Sequence, residues 1–311
     1  MSWFFLALLG HLANGVAFVI DKILLRSAFS RSATYAGVVG LMSGLAILVI
    51  PFVHQWPQGW IWLVAITSGV AFVLALWCFF AALSRAEASR IVPIVGSLIP
   101  ILTLVGSFIF LGERLSDANF LGFGLLIVAT VILSGGGAGK PSHDAIWLAV
   151  TAALLFAIAS VTGKSSYDSA GFAGGFITSR IAAALASLAI LVILDRRAGR
   201  EALSMIRPSK KAPSTRTNKS KQVSKSSAGL ALVGQTLGAV GFLGVQWATA
   251  EGSASIVNAM QAVQYALLVV IALVLHKKAP QLLGENLTKK ALALKIGALA
   301  ITALGMYFVV A

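Results

Sequence analysis

The sequence predicts an all-α, multi-pass membrane protein, and three observations carry that prediction. Apolar residues make up 58% of the chain and charged residues only 11%, with a mean hydropathy of +0.92, far outside the range of soluble domains. The apolar residues are gathered into long runs, of which Ile91–Leu111 and Asn119–Ser134 flank the turn Gly112-Glu113-Arg114-Leu115-Ser116-Asp117. No run alternates apolar and polar residues with period two, so the backbone must be satisfied inside helices rather than in a barrel.

A helix needs roughly 20 residues to cross about 30 Å of hydrocarbon. Ten segments meet or approach that length: 3–24, 34–53, 59–83, 91–111, 119–134, 145–163, 172–194, 229–250, 255–276 and 292–311. The first is read as a span and not as a removable leader, because no positive n-region or small-residue cleavage site accompanies it. Short polar turns such as Trp56-Pro57-Gln58-Gly59 and Lys140-Pro141-Ser142 join most segments. The connection at 195–228 differs: rich in Lys, Arg, Ser and Thr, it is expected to be a disordered, solvated loop whose charge fixes topology. An anionic-lipid or regulatory patch is its functional alternative.

Several function classes are excluded. The net charge of +14 sits mostly in that loop without interleaved aromatics, so no nucleic-acid partner is expected. The single cysteine, Cys78, allows no disulfide framework. His11, His54, His143 and His276 are scattered without acidic partners at ligand spacing, and neither a zinc motif nor a Walker sequence is present. No metal, cofactor or catalytic residue is therefore expected, and the lipid bilayer and a small-molecule substrate are the expected partners.

The two halves repeat. GVAFVIDK, ending at Lys22, aligns with AIASVTGK, ending at Lys164, at an offset of 142. Ile91-Val92 aligns with Ile256-Val257 at 165, and Gly122 with Gly297 at 175, so loops rather than spans absorb the growth. Residues 1–138 and 139–311 form the two expected five-helix repeats. An odd number of spans per repeat inverts the second copy relative to the first, a signature of secondary transporters.

The stretch from Ser97 through Leu111-Gly112-Glu113-Arg114-Leu115 to Phe120-Leu121-Gly122 resembles the EamA domain of the drug/metabolite transporter superfamily. That resemblance implies ten helices in two tandem domains, with spans 1, 3, 4, 6, 8 and 9 around a central path and spans 5 and 10 peripheral. Gly112, Glu113 and Arg114 are the motif residues, with Glu113 read as fixing the turn before the fifth span. Arg180 resembles the arginine such domains carry early in their second span, and an anchoring role is expected for it. The second copy of the motif is degraded to Leu275-His276-Lys277-Lys278. The family habit places both termini inside. Against it, most of the 24 Lys and Arg fall in or next to the odd-numbered connections, which places both termini outside.

Polar groups within spans should turn away from lipid. Asn258, Gln261, Gln264 and Tyr265 recur on one face of the ninth span, and Pro93, Ser97 and Pro100 on the matching face of the fourth, which also carries Gly96 and Thr103. These faces are the first candidates for a substrate path; gluing helices together is the alternative. Further candidates are His11 and Asn14, Trp77, Ser160, and Gln235, Gln246 and Trp247. His11 is the one candidate with an ordinary titration near neutrality, and proton or counter-substrate coupling is left open on that ground.

The expected function is secondary transport of a small amino-acid-like, neutral or zwitterionic solute by alternating access, with export the expected direction and the cell (inner) membrane the expected location. A channel, and after it a membrane-embedded enzyme, are the rivals.

Overall fold

The computed structural model describes residues 2–24, 32–86, 88–134, 142–206, 225–275 and 289–311, which form helices joined by turns, with no strand among them. In order these are α1 (Ser2–Leu24), α2 (Ser32–Met42) prolonged as a 3-10 helix (Ser43–Phe52), α3 (Ile61–Leu83), α4 (Ala88–Leu111), α5 (Asp117–Ser134), α6 (His143–Ala189), α7 (Arg196–Ile206), α8 (Lys225–Glu251), α9 (Ala254–Ala259), α10 (Gln261–Leu275) and α11 (Lys289–Val310). Seven helices among the described residues are long and apolar enough to cross a membrane. The chain is an all-α, multi-pass membrane protein.

Three elements differ from the sequence reading. Segments 145–163 and 172–194 are joined by helix rather than by a loop, because Lys164 and Asp168 pair at 2.8 Å one turn apart and Lys164 also donates to the Ala250 carbonyl of α8. The run from His143 to Leu194 is 52 residues long, about 78 Å if straight, and it is broken at Gly171, whose φ of 70° and ψ of 161° only glycine adopts readily. We call 143–170 and 172–189 the two arms of α6. The segment 255–276 is likewise interrupted, at Met260 between α9 and α10.

The third difference lies in the basic connection, whose first part is the amphipathic helix α7. Asp195 caps it by accepting from the Arg197 and Ala198 amides, Ala198 and Ala202 are buried, and Thr34 of α2 donates to Glu201 at 2.6 Å. Arg207, Lys210, Lys211 and the rest of that loop to residue 224 lie outside the described residues, as do His276, Lys277 and Lys278.

Close crossings set the bundle. A Cβ added at Gly69 on α3 would lie 1.9 Å from the Ser179 carbonyl on the second arm of α6, so these backbones touch only because glycine is there. Gly10 and Gly241 make the equivalent approach between α1 and α8, and Gly122 and Gly305 between α5 and α11. Thus α3 packs chiefly on α6, α8 on α1, and the last helix of each half on the other. Ser68 adds a hydrogen bond to the Ala159 carbonyl at 2.8 Å, tying α3 to the first arm of α6 as well.

Candidate functional site

Polar side chains inside the bundle gather at two places. At the first, Asn258 on α9 donates its amide hydrogens to Thr103 Oγ1 of α4 at 3.1 Å and to Ser160 Oγ of α6 at 2.9 Å. One residue back, the Val257 carbonyl accepts from His11 Nε2 of α1 at 2.8 Å, which brings in a fourth helix. A carbonyl only accepts, so Nε2 carries the hydrogen; buried His11 Nδ1 has no partner among the described residues, and the Gln264 side chain lies beside the ring. Tyr265 is buried with its hydroxyl against Gly96 of α4, where an added Cβ would meet Oη at 2.7 Å. Pro100 leaves the Gly96 carbonyl without its helical donor at this same level.

This junction is neutral throughout. It offers amides, hydroxyls, an imidazole and a freed carbonyl, the kit for hydrogen-bonding a small polar solute between helices drawn from both halves of the chain. The break at Met260 places Asn258 at the end of one helix and Gln261 at the start of the next, so the expected stripe spans a joint. Gln261 and Gln264 are half-buried beside it.

At the second place a charge is buried. Arg180 on the second arm of α6 is 2% exposed, and its guanidinium lies 4.5 Å from the Phe72 ring centroid, 5.2 Å from Phe242 and 5.7 Å from Phe176. Rings of α3, α6 and α8 thus cage it by cation–π contact. Its Nε donates to Ser179 Oγ at 3.4 Å, while Nη1 has no hydrogen-bond partner among the described residues and no carboxylate among them pairs with it. The buried Tyr167 hydroxyl beside it is also without a hydrogen-bond partner there. Sequence reasoning missed Tyr167, Phe72, Phe176 and Phe242: Tyr167 falls in the stretch read as a loop, and isolated phenylalanines in apolar spans carry no signal of their own.

A third cluster closes one end of the bundle. Glu113 does not cap α5, whose first turn is instead closed by Ser116 Oγ accepting from the Asn119 amide. It reaches across to α9, accepting from Ser255 Oγ at 3.1 Å, and Ser253 caps that helix. At the same end Glu251 accepts from Ser2 and from Trp247 Nε1, both at 2.8 Å. Gly112, with φ of 66°, makes the turn that presents Glu113, while Arg114 is exposed.

The other candidates lie elsewhere. Ser97 donates back to the Pro93 carbonyl at 2.6 Å, so its hydrogen is used on its own helix, and Pro93 is half-buried. Asn14 lies at the α1–α8 crossing against Gly241, and Trp77 packs on the apolar cluster of Val73, Ala183 and Ile190. Trp247 is 45% exposed, stacked on Phe172 at 5.5 Å. Gln246 is half-buried on α8, and the Gln235 side chain lies outside the described residues. A groove of about 480 Å³ between α3, α4 and α6 is lined almost wholly by apolar side chains, and Val105, Ile109 and Phe110 there face outward, as lipid-contacting residues do.

The family described as EamA-like transporters matches residues 1–135, the half that carries the Leu-Gly-Glu-Arg turn. Over those residues the chain is similar to EamA-like transporters. That match and the span-length apolar helices support a membrane transporter. An uncharacterized transporter encoded in the cobO 3' region of a Sinorhizobium species is 28% identical over 138 residues, 43% of this chain and 96% of the relative. A probable 4-amino-4-deoxy-L-arabinose-phosphoundecaprenol flippase subunit, ArnE, from Aeromonas hydrophila is 35% identical over 74 residues, which are 24% of this chain and 62% of that subunit. A solved crystal structure aligns over 97% of this chain and 96% of its own at a TM-score of 0.60 and 20% identity, so the chain shares its overall fold with a solved protein.

Proposed function

We propose that the chain is a ten-span secondary carrier that moves a small neutral or zwitterionic solute by alternating access, with export the expected direction. The observation that carries this reading is the Asn258 junction, where α4 of the first half, α6 and α9 of the second, and α1 through His11 meet around neutral hydrogen-bonding groups. Carriers built from inverted repeats bind substrate at such a junction, beside interrupted helices. The exchange of helices, α3 onto α6 and α8 onto α1, is what two inverted repeats over 1–138 and 139–311 would make. The Glu113–Ser255 contact is then the latch that shuts one end, and rocking of one repeat against the other opens it.

Flux into proteoliposomes holding the purified full chain tests this, using a radiolabelled panel of amino acids and small metabolites with and without a pH gradient. Saturable, solute-specific flux, reduced at least tenfold in Asn258→Ala and altered in Gln261→Ala, is the expected result. Dependence on the pH gradient that disappears in His11→Gln would assign coupling to the ring. Non-saturating ion conductance would replace the carrier with a channel.

A further inference from the structure

The Arg180 cage is the place in the molecule where charge and chemistry are unbalanced. A guanidinium carries five N–H donors in a fixed fork that matches oxyanions, and its desolvation is expensive unless a counter-charge and hydrogen bonds replace water. Here the three rings supply partial compensation, yet Nη1 is unpartnered, the neighbouring Tyr167 hydroxyl is unpartnered, and no carboxylate among the described residues faces either. Two nine-tenths-buried donors side by side, one permanently cationic, form half of an ion pair. For anchoring alone, a methionine or leucine among those phenylalanines would pack as well without the desolvation penalty.

We infer that Arg180 and Tyr167 recognise an oxyanion, a carboxylate or phosphate group on the transported solute, with Phe72, Phe176 and Phe242 taking the apolar body attached to it. The inference rests on the carrier reading and narrows its solute to one bearing an anionic group, so that a zwitterion fits and a wholly neutral solute does not. Ser160 and Tyr167 stand on one face of the first arm of α6, two turns or about 10 Å apart, so the same helix face serves the Asn258 junction and the cage. The cage is closed in this conformation, and the Gly171 break lies between its two halves, Tyr167 before it and Arg180 after it. Swinging the second arm about that break separates the two donors and frees a bound anion, so occupancy and arm position are coupled.

The test measures binding to the detergent-purified full chain by thermal shift and tryptophan fluorescence. Its probes are acetate, benzoate, inorganic phosphate and phenyl phosphate, with acetamide and benzamide as neutral counterparts. Saturable binding of benzoate or phenyl phosphate, at least tenfold tighter than benzamide, is expected; which of the two wins separates a carboxylate from a phosphate site. Arg180→Gln should abolish that preference, Arg180→Lys should retain part of it, and Tyr167→Phe, which removes one oxygen and keeps the ring, should weaken anion binding several-fold at a melting temperature close to wild type. Arg180→Met should melt at or above wild type without anion. No anion binding by the wild type, equal binding of anion and amide, or anion binding unchanged in Arg180→Gln and Tyr167→Phe would overturn the site and leave the carrier reading standing. Arg180-dependent anion binding without flux of any anionic solute would do the reverse.

Discussion

The two polar centres of the bundle are built on opposite terms. At the Asn258 junction the amide donors have acceptors and the groups around them are uncharged, whereas at the Arg180 cage a permanent cation sits among phenylalanine rings with donors to spare. Hydrogen-bonded amides between membrane helices hold them together for modest energies. An unfilled guanidinium does not, and a fold that keeps one has a reason beyond packing. On the proposed reading the junction offers a solute neutral groups that already hold one another, while the cage offers an anion donors that are still unmatched.

That contrast is broken most severely at Gly69, where α3 approaches the second arm of α6. Gly69→Ala places a methyl where the Ser179 carbonyl stands and should cost about 3 kcal/mol, visible as a large loss of folded protein in a detergent melt, with the Phe72 face of the cage displaced. Next in size is the junction: Asn258→Leu deprives buried Thr103 and half-buried Ser160 of their donor and should cost about 1–2 kcal/mol in the same melt. Smallest is Tyr167→Phe, which removes a hydroxyl that lies beside Ser179 without a well-formed hydrogen bond among the described residues and should leave stability within about 0.5 kcal/mol of wild type. If Asn258→Leu proved silent and Tyr167→Phe costly, the roles of the two centres would be exchanged.

Much of the fold was legible because lipid leaves the backbone few choices: apolar runs of span length must be helices, and seven helices among the described residues are long and apolar enough to cross. What was lost lay in polar stretches that folding recruited into helix. Lys164, Tyr167 and Asp168 look like a loop until the Lys164–Asp168 pair and the Ala250 carbonyl are seen to absorb the charge. The stripe of Asn258, Gln261, Gln264 and Tyr265 was visible from spacing, but its partners on α1, α4 and α6 are tertiary facts that no spacing encodes. Glu113 was the hardest to place, since its local options at the start of α5 were reasonable and its actual partner, Ser255, is 142 residues away.

That contact between the halves allows the most direct test of alternating access. With Cys78 replaced by serine, the chain's one native thiol is removed, and Glu113→Cys with Ser255→Cys can be bridged by a short, reducible cross-linker across a contact of 3.1 Å between the native side-chain oxygens. Counterflow of the solute identified by the flux panel should stop on cross-linking, return on reduction, and be untouched by the reagent in either single-cysteine variant. Undiminished counterflow through the bridged protein would contradict a mechanism in which the two halves part at this end.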